Sequence, residues 1–251
     1  AQTVAGAFAL QNNGYRVLVH NPQDLAALNT HPREKNHVST VPENFDGVLH
    51  SHAYEVKFLN ANPNPTIVPE RIQSSYNNYF IGNDSTKWAS GCKIYKAVVY
   101  KDVYPGIDIR YYTNEAQLKY DIIVHPGGDV SKIALYIDGA DGVKIKNRAL
   151  EIKTNVTTVS ELAPYSYQLK QQGKKEVVCD YSVKGNIVKF SIAGDYDKTE
   201  TLVIDPSIVF YGYTGSTADN WGFTATYDPQ GNFYAGGIVF GSFGGYENTI
   251  R

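Results

Sequence analysis

Residues 76–126, YNNYFIGNDSTKWASGCKIYKAVVYKDVYPGIDIRYYTNEAQLKYDIIVHP, restrict the fold more than any other stretch. Ile94–Tyr100, Ile107–Tyr112 and Leu118–Val124 are rich in β-branched and aromatic residues, and the breaks between them hold Pro105-Gly106 and Thr113-Asn114. Side chains alternate between the two faces of a strand. Leu118, Tyr120, Ile122 and Val124 therefore point one way and Lys119, Asp121, Ile123 and His125 the other. The first set is apolar or aromatic and the second mostly polar. This predicts a three-stranded meander with one face on a core and Asp121 facing solvent.

Similar signals flank this centre. Ala5–Leu10 and Tyr15–Val19 enclose Gln11-Asn12-Asn13-Gly14, where Asn13-Gly14 is expected to supply the positive φ angles of a tight hairpin turn. From Asn21 to Gly47 the chain is polar and holds Pro22, Pro32 and Pro42, which predicts a long, partly mobile loop with one helical turn at Asp24–Leu28. Ala53–Leu59 reads as a strand, whereas Pro63, Pro65 and Pro69 keep Asn60–Pro69 out of any central strand. Further strands follow at Lys132–Asp138, Val143–Lys146 and Ala149–Lys153, the last two joined through Asn147-Arg148. Thr157–Glu161, Tyr165–Lys170, Glu176–Val183, Ile187–Ile192 and Leu202–Ile204 complete the series. Many short strands with closely spaced turns, and no convincing amphipathic helix, predict an all-β chain built as an antiparallel sandwich or stacked sheets.

At Asp205-Pro206 the composition shifts, and Ser207–Arg251 is rich in Gly, Tyr and Phe. The stretch reads as strand, turn, strand, an Asp228-Pro229-Gln230-Gly231-Asn232 turn, and strand, close to the roughly 40–45 residues of one propeller blade. The expected division is an N-terminal all-β domain over 1–205 and a first, incomplete propeller repeat over 206–251. A single blade leaves exposed strand edges, so the chain is expected to stop short of the full gene product or to pack on another chain.

A net charge of -2 with Lys and Arg scattered along 251 residues offers no basic stripe, which argues against nucleic acid as a partner. No apolar run approaches the roughly 20 residues that a membrane helix needs. The chain has no Met and starts Ala1-Gln2-Thr3, as expected of a mature exported chain or a cut fragment. Cys92 and Cys179 lie too far apart for a CxxC motif; they are either bridged in an exported protein or act as small buried apolar side chains.

Candidate chemistry is sparse. His50 and His52, two apart on a strand, could hold a metal together with Asp46, but they read as exposed loop histidines. His125 has no nucleophile motif beside it, and neither GxSxG nor HExxH occurs. Asp102, Asp108, Asp121, Asp138 and Asp141 could supply the acid pair of a glycosidase, yet all but Asp121 sit beside Gly, Pro or a strand end, where Asp serves turns. Asp138-Gly139-Ala140-Asp141-Gly142 and Asp195-Tyr196-Asp197 could place oxygens around a structural Ca²⁺, but lack a regular ligand set and read as turns. The 20 Tyr, 10 Phe and 2 Trp could stack on sugars or protein partners, though strand cores use the same residues. No catalytic, cofactor or metal residue is assigned.

Several motifs in order resemble a known family: Asn78-Tyr79-Phe80-Ile81-Gly82-Asn83-Asp84 with Lys87-Trp88, Tyr100 through Asp108, Tyr120-Asp121, His125-Pro126-Gly127-Gly128, Asp138 through Gly142, and Leu202-Val203-Ile204-Asp205-Pro206. They are similar to the N-terminal domain of bacterial exported proteins with SBBP β-propeller repeats, and residues 207–245, especially Tyr227 through Gly237, look like the first repeat. The resemblance implies secretion or display on the outer surface of Bacteroidota-like cells, often through type IX secretion, and brings no catalytic residues. It suggests that Pro105-Gly106 fixes a turn around which Asp102 and Asp108 accept backbone hydrogen bonds. In the same surroundings Asp84-Ser85-Thr86 resembles a short O-glycosylation acceptor motif. The expectation is a non-enzymatic surface scaffold or adhesion module whose partners are proteins, the remaining propeller or surface glycans. The alternatives are a carbohydrate-binding or carbohydrate-processing module, and a cargo or subunit of a larger outer-membrane surface assembly.

Overall fold

The structure, a computed structural model, describes residues 2–3, 6–29, 45–114, 117–170, 173–209, 220–227 and 233–239. In chain order β1 (Gln2–Thr3), β2 (Gly6–Gln11) and β3 (Gly14–His20) lead through α1 (Pro22–Asn29) to β4 (Ser51–Phe58). The meander follows as β5 (Thr66–Tyr79), β6 (Ala89–Tyr104), β7 (Ile107–Asn114) and β8 (Gln117–Val124). Then come β9 (Ala134–Asp138), β10 (Gly142–Lys146), β11 (Ala149–Lys153), β12 (Thr158–Glu161), β13 (Tyr165–Lys170) and β14 (Gly173–Glu176). The last strands are β15 (Val178–Lys184), β16 (Ile187–Ala193), β17 (Leu202–Asp205), β18 (Ile208–Val209), β19 (Asn220–Tyr227) and β20 (Phe233–Val239).

Every strand pairing is antiparallel, in line with the all-β expectation. One seven-stranded sheet has the order β1-β2-β3-β4-β9-β16-β15 and a second the order β14-β13-β17-β8-β7-β6-β5. A four-stranded sheet, β10-β11-β12-β18, and the β19–β20 pair complete the set. The two large sheets face each other because each carries one apolar row. Tyr15, Val17, Tyr54 and Val56 of the first join Ile109, Tyr111, Tyr120 and Ile122 of the second in one core. The Tyr15 ring lies 6.1 Å from those of Tyr111 and Tyr120. Each such side chain contributes about 1.5–3 kcal/mol when removed from water. Leu150, Ile152 and Val159 add the smaller sheet to the same core.

Particular turns differ from expectation. The β2–β3 loop is Asn12-Asn13, with Gly14 already paired to Gln11. Gly14, at φ 136, is needed instead for close approach: a Cβ there would meet the Val56 carbonyl oxygen at 1.9 Å. The segment after His20 forms the whole of α1 rather than one turn. Asn21 Oδ1 accepts the Gln23 N–H at 2.9 Å and Pro22 occupies the first helical position, so cap and proline both favour initiation. The remainder of the expected loop, 30–44, lies outside the described residues. Pro69 is within a strand, but β5 is the sheet edge, where a missing N–H costs no ladder bond. Asn147 and Arg148 turn at φ 50 and 65, as a two-residue hairpin loop demands. Glu176–Val183, expected as one strand, is divided: β14 and β15 belong to different large sheets, and Val177 between them donates its N–H to Ser166 O.

Beyond Ala97 the β5–β6 pair continues without β7, from Ile72↔Tyr95 to Tyr79↔Ala89. This two-stranded arm ends in a short 3₁₀ turn, Ser85–Lys87, capped by Asp84, whose side chain accepts the Thr86 N–H. After β18 the backbone pairs again as β19 and β20; residues 210–219, and 228–232, where the Asp-Pro-Gln-Gly-Asn turn was expected, lie outside the described residues. The described residues form no closed propeller.

Candidate functional site

The sequence motifs converge at the joint between β6, β7 and the end of β8. Asp108, 3% exposed, accepts the Lys101 ammonium at 2.7 Å, the His125 ring Nε2 at 2.9 Å and the Asp102 backbone N–H at 2.9 Å. Burial alone would raise this carboxyl; the Lys101, His125 and Asp102 bonds outweigh it and hold Asp108 below its ordinary value. Asp102 takes part through its backbone at φ 53, where the β6–β7 register shifts. Gly106 O accepts the His125 N–H at 2.9 Å, and a Cβ on Gly128 would meet that same oxygen at 2.7 Å. Tyr100–Asp108 and His125–Gly128 thus form one clasp, in which Asp108 caps the turn as expected and His125 is its partner.

A second cluster lies on the outer face of the second large sheet. The β8–β17 register, Ile122↔Ile204, places Asp121 opposite Asp205 one step further on. Asp121 is not solvent-facing: its side chain is 14% exposed, accepts the Tyr112 hydroxyl at 3.1 Å and lies 3.9 Å from Arg110 Nη1. Burial, with Asp205 as the next cause, pushes the Asp121 carboxyl up to about 6. Long neighbours cover this face. Arg110 stacks 4.9 Å over Tyr112, and Lys174 Nζ lies 3.8 Å from the Tyr167 ring centre. Tyr165, opposite Asp205 in the register, has its ring 5.4 Å from that of Tyr167. Asp205 Oδ1 is buried and has no hydrogen-bond partner among the described residues. Carboxylates beside ring faces suit sugar hydroxyls and sugar faces respectively.

The third cluster is internal. Glu161, 3% exposed, receives the hydroxyls of Tyr120 and Tyr181 on one oxygen. Burial raises its carboxyl and those two bonds only partly offset the effect. Glu161 is not among the candidates read from the sequence; the signal that could have found it is its place two residues after Val159, on the same strand face.

The remaining candidates separate. His50 bonds Asp24 at 2.8 Å, whereas His52 bonds Asn155 at 2.8 Å and Gly139 O at 2.6 Å. Asp46 accepts the Val48 N–H, so these three do not converge. Asp138 is held by Lys57 at 2.5 Å, while Asp141 joins the Lys153 carbonyl through its N–H. Asp197 binds Lys170 and caps Thr199, and its neighbour Asp195 shares in neither contact. No three His, Cys, Asp or Glu side chains among the described residues are grouped to hold a metal. Cys92 and Cys179 are free, one in the arm and one in the core, so the bridge is absent. A groove of about 580 Å³ bordered by Leu59, Tyr104, Pro105, Lys132, Ile187 and Lys189 contains none of the candidate acids or histidines. Among the described residues no helix is long and apolar enough to cross a membrane.

Fold and clusters together define an antiparallel β module in which the buried acids Asp108 and Glu161 are held by side-chain hydrogen bonds. The chain belongs to a family described as a domain of unknown function, DUF7948, and the match spans residues 1–207. No curated protein and no solved structure matches the chain.

Proposed function

We propose that the chain is a non-enzymatic β scaffold of an exported cell-surface protein, and that residues 206–251 open an SBBP-type propeller carried by it. The observation behind this reading is the clasp at Asp108. Lys101 and His125 are both bonded to Asp108 across a strand joint, and Gly106 and Gly128 allow the two turns to touch. Such an arrangement fixes geometry. Labelling intact native cells with a membrane-impermeant amine reagent tests the address: the scaffold reading expects labelled chain at the surface, and a chain found only inside the cell sinks it.

A second reading, glycan contact, is favoured by the outer face where Tyr165 lies opposite Asp205 with the Tyr167 ring beside it. Surface adhesion would then run through that face. A glycan array probed with the chain and with its Tyr165→Ala/Tyr167→Ala variant decides: binding by the first and not the second supports it, and equal binding removes it.

A further inference from the structure

We propose that the β5–β6 arm is a clasp for the module that follows the β sheets, its aromatic surface covered by residues 210–251 of the same chain. This rests on the scaffold reading and names what the scaffold holds. A two-stranded ribbon is marginal in water on its own, yet this one leaves Tyr76 62%, Ile81 76% and Trp88 44% exposed. Its tip is nevertheless ordered, with the Phe80 and Trp88 rings 5.5 Å apart and the Trp88 indole N–H on Gly82 O at 3.1 Å. Pro69 and the register shifts after Ile72 and Asn77 interrupt the outer edge of β5, which disfavours strand addition there and leaves the faces as the contact surface.

Three observations select the occupant. β17 runs out at the end of the second large sheet from which the arm extends: Ser207 bridges Lys119, which pairs with Tyr112, then Ala97, then Glu70 at the arm's base, before Ile208 and Val209 pair with β12. Four strand spacings, about 19 Å, separate Ser207 from the arm. The arm carries four cations, Arg71, Lys87, Lys93 and Lys96, against one carboxylate, Asp84. Residues 210–251 carry the opposite balance, Asp219, Asp228 and Glu247 against Arg251, together with eleven aromatic residues. Charge and apolar character both match.

Two readouts on the whole chain test this. Trypsin cleavage after Lys87, whose side chain is 80% exposed in the described structure, should be roughly tenfold slower in the native chain than in the Asp219→Lys/Asp228→Lys/Glu247→Lys variant, a ratio equivalent to about 1.4 kcal/mol. The two tryptophans allow an independent check, since Trp221→Phe leaves Trp88 as the sole emitter and its acrylamide quenching should rise with the same charge reversal. Equal cleavage and equal quenching in both chains overturn the clasp. Protection that grows with protein concentration also overturns it, by assigning the cover to a second copy. Either failure leaves the surface-labelling result untouched, so the scaffold reading stands or falls separately.

Discussion

The Tyr120 hydroxyl donates to Glu161 Oε1 at 2.5 Å inside the core, with the Tyr181 hydroxyl 2.8 Å from the same oxygen and also 3.1 Å from Leu162 O. Two hydroxyls but no cation among the described residues reach this carboxyl, so its protonated form is the one the core favours. A protonated Glu161 can donate to Tyr181, whose own proton then goes to Leu162 O, and each group is satisfied.

The consequence is a pH dependence with a defined sign. Because the folded carboxyl is raised above the unfolded value of about 4.3, its contribution is complete below that pH and is lost as pH rises toward the folded value, at up to about 1.4 kcal/mol per pH unit. Glu161→Gln keeps the shape and removes the titration. Urea denaturation at pH 5 and pH 8 should show the variant gaining on the native chain as pH rises; a constant difference would mean that Glu161 does not change protonation on unfolding.

Asp108 has the opposite sign. Its carboxyl is held below the ordinary value, so the contribution is present above an unfolded value of about 3.9 and is lost as pH falls through the folded value. Asp108→Asn turns an amide N–H toward the Lys101 and His125 donors and should cost about 2 kcal/mol at pH 7. The cost should shrink below about pH 4, where the native carboxyl is itself protonated. Guanidinium midpoints across that range measure both; a loss that is the same at pH 3 and pH 7 would place the effect in packing instead.

How far the sequence revealed these sites depends on what local pattern encodes. Alternation in Leu118–Val124 foretold which side of β8 is buried, and Asn147-Arg148 foretold a hairpin, because both are local. The Asp108–His125 bond was hidden since it joins residues 17 apart in sequence through sheet geometry. Asp121 was misplaced for a related reason: its own strand gives it the outer face, but Arg110 and Tyr112 from β7 cover it there. The split at Val177 was hidden because Val177 and Val178 continue the strand pattern, while the change of sheet rests on the Val177 N–H reaching Ser166 O, a contact between residues distant in sequence. Glycines were read as turn makers, whereas Gly14 answers to a neighbouring strand that the hairpin sequence does not contain.

That last difference yields a direct test. Gly14→Ala puts a methyl group against the Val56 carbonyl in β4 and holds an L-residue at φ 136, so β3 and β4 must separate locally. Strain and lost pairing together should cost about 3 kcal/mol or more. Gly185→Ala serves as the comparison: at φ 59 it carries a backbone penalty, but nothing lies within 4 Å of the added carbon. Thermal unfolding of the two variants should rank Gly14→Ala well below Gly185→Ala, and equal midpoints would show that the close approach between β3 and β4 does not matter.

Asp121 and Asp205 allow the outer face to be examined without knowing a ligand. The register sets them side by side, and burial, then the Asp205 charge, pushes the Asp121 carboxyl up to about 6. Since the folded value lies above the unfolded value of about 3.9, this group favours the folded state most at acid pH and progressively less until about pH 6. Carboxyl carbon chemical shifts should therefore show a midpoint near 6 at Asp121 in the native chain. Asp205→Asn should lower that midpoint without restoring the ordinary value, because burial, the larger cause, remains. A midpoint unmoved by Asp205→Asn would mean that the two carboxyls do not sense each other, and a fall all the way to the ordinary value would mean that Tyr112 and Arg110 do not shield Asp121 from water.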